Sequence, residues 1–314
     1  MAIFRKEPNS DLGFGSVVSQ KSNFRLINKD GSFNVVRKGL HPLTSLSIYH
    51  YLLTTSWLNF IILSFLGYIG MNLLFALIYM AFGREALFGQ NVSDFSEEFM
   101  RAFFFSVQTA TTIGYGHITP SGFIANFIVT IESFTGLLGF AAVTGLVFAR
   151  ISRPQAKLLF SDEAIVAPYR DGITAFEFRI ANSRSYQIIE MEALVTFSWM
   201  DNVNGVKKRK YAKLELERSK VPFFPMFWTI VHPIDDNSPL KGIDLNTLIE
   251  KEAEFLILLK GTEEAFNQSV HTRYSYKANE VKYGVKFKNI FITDPTENLV
   301  SVDISRLGEY EMVD

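Results

Sequence analysis

The polar and apolar positions follow two different patterns in the two halves of the chain. From Gly39 to Gly83 a run of 45 residues carries no Lys, Arg, Asp or Glu. A membrane-crossing helix needs about 20 apolar residues for roughly 30 Å of hydrocarbon, so the run is too long for one perpendicular helix. Pro42 suits the first turn of a helix, where its missing N–H has no consequence. Residues 43–51 predict a short amphipathic helix on the membrane surface, and residues 57–82 a first span with Trp57 as interfacial anchor. A second apolar block, residues 123–149, contains a single charge, Glu132, and predicts a second span. Between them, Phe99 to Ala110 is apolar but too short to cross. Ser96 followed by Glu97 and Glu98 reads as an N-cap with acids in the first turn, predicting a helix over 97–110. Such a re-entrant helix is tolerated at membrane depth only where protein or water shields its ends.

After about Leu158 the pattern shortens and alternates. Thr174 to Ile180 alternates at period two, as a half-buried strand does. Ala193 to Trp199 and Tyr211 to Leu216 flank a turn with Asn204-Gly205, a strong hairpin signal. Glu254 to Leu259, Tyr283 to Ile292 and Val300 to Ile304 predict further strands, and Leu245 to Ala253 a helix. Many short strands separated by turns predict a β-sandwich. The organisation read from the pattern is a polar segment, 1–38, a membrane domain, 39–157, and a β-sandwich domain, 158–314.

Composition agrees with a chain partly in lipid and partly in water: 48% of residues are hydrophobic, 30 are Phe, yet 20% are charged. The net charge of -1 gives no global attraction to nucleic acid, and none is expected as a partner. The absence of cysteine excludes disulfides, thiol catalysis and Cys-based zinc sites. The first 38 residues are polar and lack the features of a signal peptide, so the first apolar segment is expected to be kept. Arg37 and Lys38 precede the first span, and Arg150, Arg153 and Lys157 follow the second. This asymmetry places both termini in the cytoplasm. Lys207 to Lys210 is a basic run that fits a solvated hairpin tip. His232, Asp235, Asp236 and His271 fit no metal-ligand template, and Asp in loops is commonly a cap; no metal cofactor is assigned. No phosphate loop, nucleophile elbow or HExxH motif occurs, so no enzymatic activity is expected.

The half-length helix is followed at once by Thr111-Thr112-Ile113-Gly114-Tyr115-Gly116. Glycines at alternate positions admit backbone conformations closed to other residues. Successive carbonyls can then face one way and replace an ion's hydration shell, with the Thr112 hydroxyl as a further oxygen layer. The carbonyls of Thr112, Ile113, Gly114 and Tyr115 are the expected potassium ligands. The short helix directs its partially negative carboxyl end toward the same place. One chain supplies one wall, so the string requires a symmetric oligomer, most simply a homotetramer.

These residues resemble the inward-rectifier potassium channel family, most closely its prokaryotic members. The resemblance extends through Ala149-Arg150-Ile151-Ser152-Arg153-Pro154, through Phe160-Ser161, Arg170-Asp171-Gly172 and Ala181-Asn182-Ser183-Arg184, and through the stretch His232 to Leu240. It implies a tetrameric potassium channel of the plasma (bacterial inner) membrane with an immunoglobulin-like cytoplasmic sandwich that extends the pore. It matches Phe148 to the family's bundle-crossing gate and Phe140 to a constriction above it; the eight-residue spacing puts both near one helix face, and an apolar collar of four Phe would dewet the pore. Ordinary packing is the competing account of both. Gly136, Gly139 and Gly145 fit either bending or close packing. Glu132, an acid inside a span, reads either as a functional group behind the filter, bonded to the pore helix, or as a structural carboxyl.

Three departures narrow the resemblance. Eukaryotic members brace the filter with a Glu in the pore helix and an Arg beyond the filter; Gln108 and Ile118 stand there. Strong rectifiers carry an acid where Phe140 stands, so weak polyamine block is expected. The basic ring Arg37, Lys38, Arg150, Arg153 and Lys157 reads as topology and, by resemblance, as an anionic-lipid or phosphoinositide site. Gln155 and Ala156 replace the basic pair of eukaryotic members, and the prokaryotic resemblance implies inhibition by such lipids. Two other classes compete with a selective channel: a membrane-anchored binding module, which leaves the filter string unused, and a poorly selective cation pore.

Overall fold

Two serines start the helices of the membrane unit. Ser47 Oγ accepts the His50 N–H at 3.2 Å and opens α1 (Ile48–Thr54), and Ser56 Oγ accepts the Asn59 N–H at 3.2 Å and opens α2 (Trp57–Ala81). The computed structural model describes residues 25–34, 47–89, 94–152, 157–184, 187–203, 205–224, 226–264, 267–293 and 300–313. It divides into two units, Lys38–Arg153 and Met1–Arg37 with Pro154–Asp314. The interfacial helix expected over 43–51 is described only from Ile48 and runs on to Thr54, because Ser47 supplies its cap.

After α2 come β1 (Leu87–Phe88), α3 (Phe95–Ala110), β2 (Thr119–Pro120) and α4 (Gly122–Ile151). α2 and α4 are long and apolar enough to cross a membrane. The cap of α3 differs from expectation. Asp94 is the extended N-cap residue, at φ -104° and ψ 148°, and Ser96 lies inside the first turn with its hydroxyl donated to the Asp94 carboxylate. Glu97 and Glu98 still occupy that first turn, beside the positive end of the helix.

The short α3 is held on its flanks. Phe75, Ala76 and Tyr79 of α2, Ala102 and Phe105 of α3, Leu87 and Ile128 form one buried cluster, in which Tyr79 and Phe105 meet edge to face at 5.2 Å. On α4, Gly136 lies against the last residue of α3: a Cβ there would come within 2.7 Å of the Ala110 carbonyl oxygen. Of the two readings for this glycine, close packing is therefore the one observed. Gly139 and Gly145 meet nothing within 4 Å in the protomer. The remaining faces of α2 and α4 expose Leu58, Ile61, Phe65, Phe127, Phe134 and Leu138, which is what lipid or further copies would cover.

The second unit is a β-sandwich. Its strands are β3 (Leu158–Phe160), β4 (Ala164–Pro168), β5 (Thr174–Asn182), β6 (Ile188–Val203), β7 (Val206–Leu214), β8 (Lys220–Phe224) and β9 (Phe227–Ile234). After α5 (Leu245–Glu250) follow β10 (Glu254–Glu263), β11 (Gln268–Lys277) and β12 (Val281–Tyr283). One sheet has the order β11-β10-β6-β7, with β8 pairing the first part of β6; the other has the order β12-β4-β5-β3, with β9 on the far edge of β5. The alternation read in Thr174 to Ile180 turns Phe176, Phe178 and Ile180 into the core, each at most 1% exposed. There Phe176 stacks on Phe255 of the opposing sheet at 4.1 Å, and Phe255 meets Phe197 at 5.2 Å. The hairpin has the predicted place: Val203 pairs Val206, and Gly205 has φ +80°; Asn204 lies outside the described residues.

The run from Tyr283 to Ile292 is not one strand. Gly284, at φ +69°, separates β12 from β13 (Val285–Phe287), and residues 288–290 separate β13 from β14 (Phe291–Thr293). β15 (Val300–Val302) pairs β14, and β16 (Tyr310–Met312) pairs β13. The helix expected over 245–253 stops at Glu250 because Glu252, at φ +48°, turns the chain toward β10. Part of the N-terminal segment lies on this unit. The buried Glu254 carboxylate accepts the Leu26 N–H at 3.0 Å, Ser275 donates to the Ile27 carbonyl at 2.7 Å, Lys29 pairs with Glu280 at 3.0 Å, and Arg273 covers the Phe33 ring at 4.2 Å. His232 has both ring nitrogens engaged, with the Glu215 carbonyl at 2.6 Å and Ser238 Oγ at 2.7 Å.

Three outcomes follow from this packing. Phe255→Ala should lower stability by about 3–5 kcal/mol, the usual cost of emptying a core aromatic site, read from denaturant unfolding of the full chain in detergent; a loss within error would contradict the stacked core. Burial holds the His232 imidazole below its ordinary value. The unfolded chain therefore binds a proton that the folded chain resists, so this contribution is complete above the ordinary histidine range near about 6.5 and falls as pH drops through it. His232→Gln should flatten that acid-side slope, and an unchanged slope would exclude the histidine as its source. Gly136→Ala forces a Cβ into backbone and should weaken α3–α4 packing by about 1–3 kcal/mol; Gly139→Ala is the matched control, and equal thermal stability of the two variants would refute the contact.

Candidate ion filter and inner gate

The segment after α3 is built from alternating backbone hands. Thr112, Gly114 and Gly116 have φ of +60°, +56° and +80°, while Ile113 and Tyr115 between them do not enter the left-handed region. Glycine takes such values freely. Thr112 is β-branched, so its conformation is strained and must be held by its surroundings. Alternation of this kind turns successive carbonyls to the same side of the chain. The N–H groups are taken up behind: Thr112 N–H donates to the Thr109 carbonyl at 3.0 Å, and Ile113 and Gly114 N–H both donate to the Gln108 carbonyl, at 2.9 and 3.3 Å. Gln108 thus serves the string through its backbone. Among the described residues no hydrogen bond of the chain ends on the carbonyls of Thr112, Ile113, Gly114 or Tyr115. Thr111 to Gly116 are all exposed on the protomer.

The chain beyond the string is anchored by the β1–β2 ribbon. Leu87 pairs Pro120, Phe88 pairs Thr119, and Ser121 N–H donates to the Ala86 carbonyl at 2.9 Å. Gly89, at φ +150°, lies so close that a Cβ would sit 2.8 Å from the His117 carbonyl oxygen. Ile118, expected from the resemblance to stand at the position of the eukaryotic Arg, packs on the cluster of Phe75 and Phe105. The ribbon was missed in the sequence because two-residue strands have no periodicity to read; Gly89 and Pro120 were its available signals.

Behind α3 lies a buried polar group set among apolar side chains. Glu132 is fully buried. The Tyr79 hydroxyl donates to its Oε2 at 2.5 Å, and Ser106 Oγ lies within hydrogen-bonding reach of its Oε1. Ser106 Oγ also lies 3.0 Å from Asn72 Oδ1, and Asn72 Nδ2 donates to the Tyr68 carbonyl at 2.8 Å. Tyr79, Asn72 and Ser106 were not singled out in the sequence. An amide and a phenol inside a span were the available signal.

On α4, Phe140 and Phe148 project from the protomer, 75% and 72% exposed. Arg150 does not project. Its Nη2 donates to the Thr55 carbonyl at 2.6 Å, its Nη1 to the Leu52 carbonyl, and its guanidinium lies over the rings of Trp57 and Phe60 at 4.7 and 4.8 Å. It joins the end of α1, the start of α2 and the end of α4. Of the other basic residues read as a lipid ring, Arg37, Lys38 and Arg153 lie outside the described residues, and Lys157 is exposed in the other unit.

Comparison with known proteins accords with both units. The inward rectifier potassium channel C-terminal domain family matches residues 158–314, and the ion channel family matches residues 60–153. The chain is 41% identical over 287 residues to the inward rectifier potassium channel Kirbac3.1 of Paramagnetospirillum magnetotacticum, covering 91% of this chain and 95% of that one. It is 31% identical over 230 residues to the human inward rectifier potassium channel 18, covering 68% of this chain and 51% of the human one. It is 28% identical over 213 residues to the inward rectifier potassium channel irk-1 of Caenorhabditis elegans, covering 64% of this chain and 39% of that one. With a pore-like pair of apolar helices and a C-terminal sandwich both matched, the chain belongs to the inward rectifier potassium channel family.

Proposed function

We propose that four copies of this chain form a potassium-selective pore whose filter is Thr111 to Gly116. The observation that carries the reading is the alternation of φ at Thr112, Gly114 and Gly116, directly after a helix too short to span. Carbonyls of Thr112, Ile113, Gly114 and Tyr115, without a hydrogen-bond partner among the described residues, coordinate dehydrated K+ in a fourfold ring, and the Thr112 hydroxyl closes the inner end. The ion is the transported substrate; no cofactor is part of the mechanism. The carboxyl end of α3 adds its partial negative charge.

Phe148, with Phe140 above it, forms the inner gate: four copies narrow the exit to an apolar collar that excludes water and ions. With Phe at 140 rather than an acid, polyamines have no charge to bind, and rectification is weak. The channel is an integral protein of the plasma (bacterial inner) membrane, with both termini in the cytoplasm. Arg37, Lys38, Arg153 and Lys157 attract anionic headgroups, including phosphoinositides, by about 1 kcal/mol each. Arg150, with its two Nη atoms on carbonyls and its guanidinium over two rings, contributes to that surface through the helices it joins rather than by direct lipid contact.

Rubidium uptake into liposomes tests the reading. The full-length protein should carry rubidium, be blocked by barium, and fail to carry sodium. Gly114→Ala places a Cβ in the left-handed region, a cost of about 1–2 kcal/mol per copy, and should abolish uptake while the protein remains a tetramer. Persistent uptake would sink the filter assignment, and equal sodium uptake would favour a poorly selective pore.

A further inference from the structure

The buried group behind the pore helix has a proton count that only one state of Glu132 satisfies. Asn72 Nδ2 donates to the Tyr68 carbonyl at 2.8 Å, which fixes the amide orientation and leaves Oδ1 facing Ser106 Oγ, 3.0 Å away. Asn72 Oδ1 is an acceptor only. Ser106 has one proton, and its oxygen also lies against Glu132 Oε1. The Tyr79 hydroxyl spends its single proton on Glu132 Oε2, at 2.5 Å. If the carboxyl were ionised, the Ser106 proton could serve Asn72 or Glu132 but not both, and the unserved contact would set two lone-pair oxygens together in a fully buried site. The partners recorded for Glu132 are hydroxyls, and among the described residues no Lys, Arg or His pairs with it. Placing one proton on Oε1 resolves every contact: Glu132 O–H donates to Ser106 Oγ, Ser106 O–H donates to Asn72 Oδ1, and Tyr79 O–H donates to Glu132 Oε2.

We propose that Glu132 is a neutral carboxylic acid, and that in this form it completes a one-way hydrogen-bond chain that positions the pore helix behind the filter. The chain ties α2, through Tyr68, Asn72 and Tyr79, to Ser106 of α3 and to α4. One turn further along both helices, Gly136 meets the Ala110 backbone. Ser106 with Glu132, and Ala110 with Gly136, are thus two successive rungs joining α4 to the carboxyl end of the pore helix. Glu132, Tyr79, Ser106 and Asn72 are positioning residues: none is a ligand of the ion, and they act through the carbonyls that α3 holds in place. A neutral chain adds no net charge of its own beside the ion, and a buried, fully satisfied network specifies one arrangement. The consequence for selectivity rests on the filter reading above; the protonation does not.

Infrared difference spectroscopy on the full-length protein in liposomes tests the protonation directly. Wild type minus Glu132→Gln should show the C=O stretching band of a protonated carboxyl, separate from the amide bands. Gln reproduces the chain, since its amide N–H can donate to Ser106 and its carbonyl can accept from Tyr79. Glu132→Gln should therefore keep the rubidium-over-sodium selectivity of the wild type. Glu132→Ala and Ser106→Ala leave a buried polar group unserved and should lose selectivity by about fivefold or more in protein that is still tetrameric. A difference spectrum without the carboxyl band overturns the proposal. So does a tetrameric Glu132→Gln that loses selectivity as far as Glu132→Ala. Should Glu132→Ala fail to assemble, the band and the Glu132→Gln selectivity decide the matter alone. A clear band together with undiminished uptake in Gly114→Ala would instead leave the protonated chain standing and remove the filter assignment.

Discussion

At membrane depth a backbone carbonyl needs a partner, because hydrocarbon offers none. α2 and α4 meet this constraint internally, as helices do. The string from Thr112 to Tyr115 does not: the N–H groups of Thr112, Ile113 and Gly114 turn back to Thr109 and Gln108, while the carbonyls of the string receive no hydrogen bond from the chain among the described residues. The alternating φ values put those carbonyls on one side. Such an arrangement is unstable alone and becomes favourable where a cation replaces the missing donors. The surrounding protein can be understood as the means of holding this strained stretch in place.

Three supports do the holding, each from a different direction. The buried cluster of Phe75, Tyr79 and Phe105 fixes one flank of α3, and the Ser106–Glu132 and Ala110–Gly136 contacts fix another. The β1–β2 ribbon fixes the chain after the string, with Ile118 packed as an apolar side chain on the same cluster. Lower down, Arg150 binds α1, α2 and α4 together through carbonyls and rings, a geometry suited to a guanidinium and not to an ammonium.

Much of this was legible in the sequence for identifiable reasons. The two spans are long charge-poor runs, and the string of Thr111 to Gly116 is specific because of what precedes it. Phe176, Phe178 and Ile180 betrayed their strand by period two. What escaped was what depends on neighbours distant in the chain or on single-residue geometry. Asp94 rather than Ser96 caps α3, which only the backbone angles decide. Gly284 splits a run that hydrophobicity alone presents as continuous. Tyr79 and Asn72 of α2 and Ser106 of α3 gather with Glu132 of α4, and no local pattern announces that. The lipid-facing reading of Arg150 came from its place after a span; its carbonyl partners lie nearly a hundred residues earlier.

We propose that the carbonyls of Thr112 to Tyr115, contributed by four copies, are the ligands of potassium. Anomalous scattering from crystals of the full-length channel grown in rubidium tests it most directly. A column of anomalous peaks on a fourfold axis, each between successive rings of these carbonyls, is the predicted result. Crystals that hold rubidium but place none of it on that axis at Thr112 to Tyr115 would contradict it.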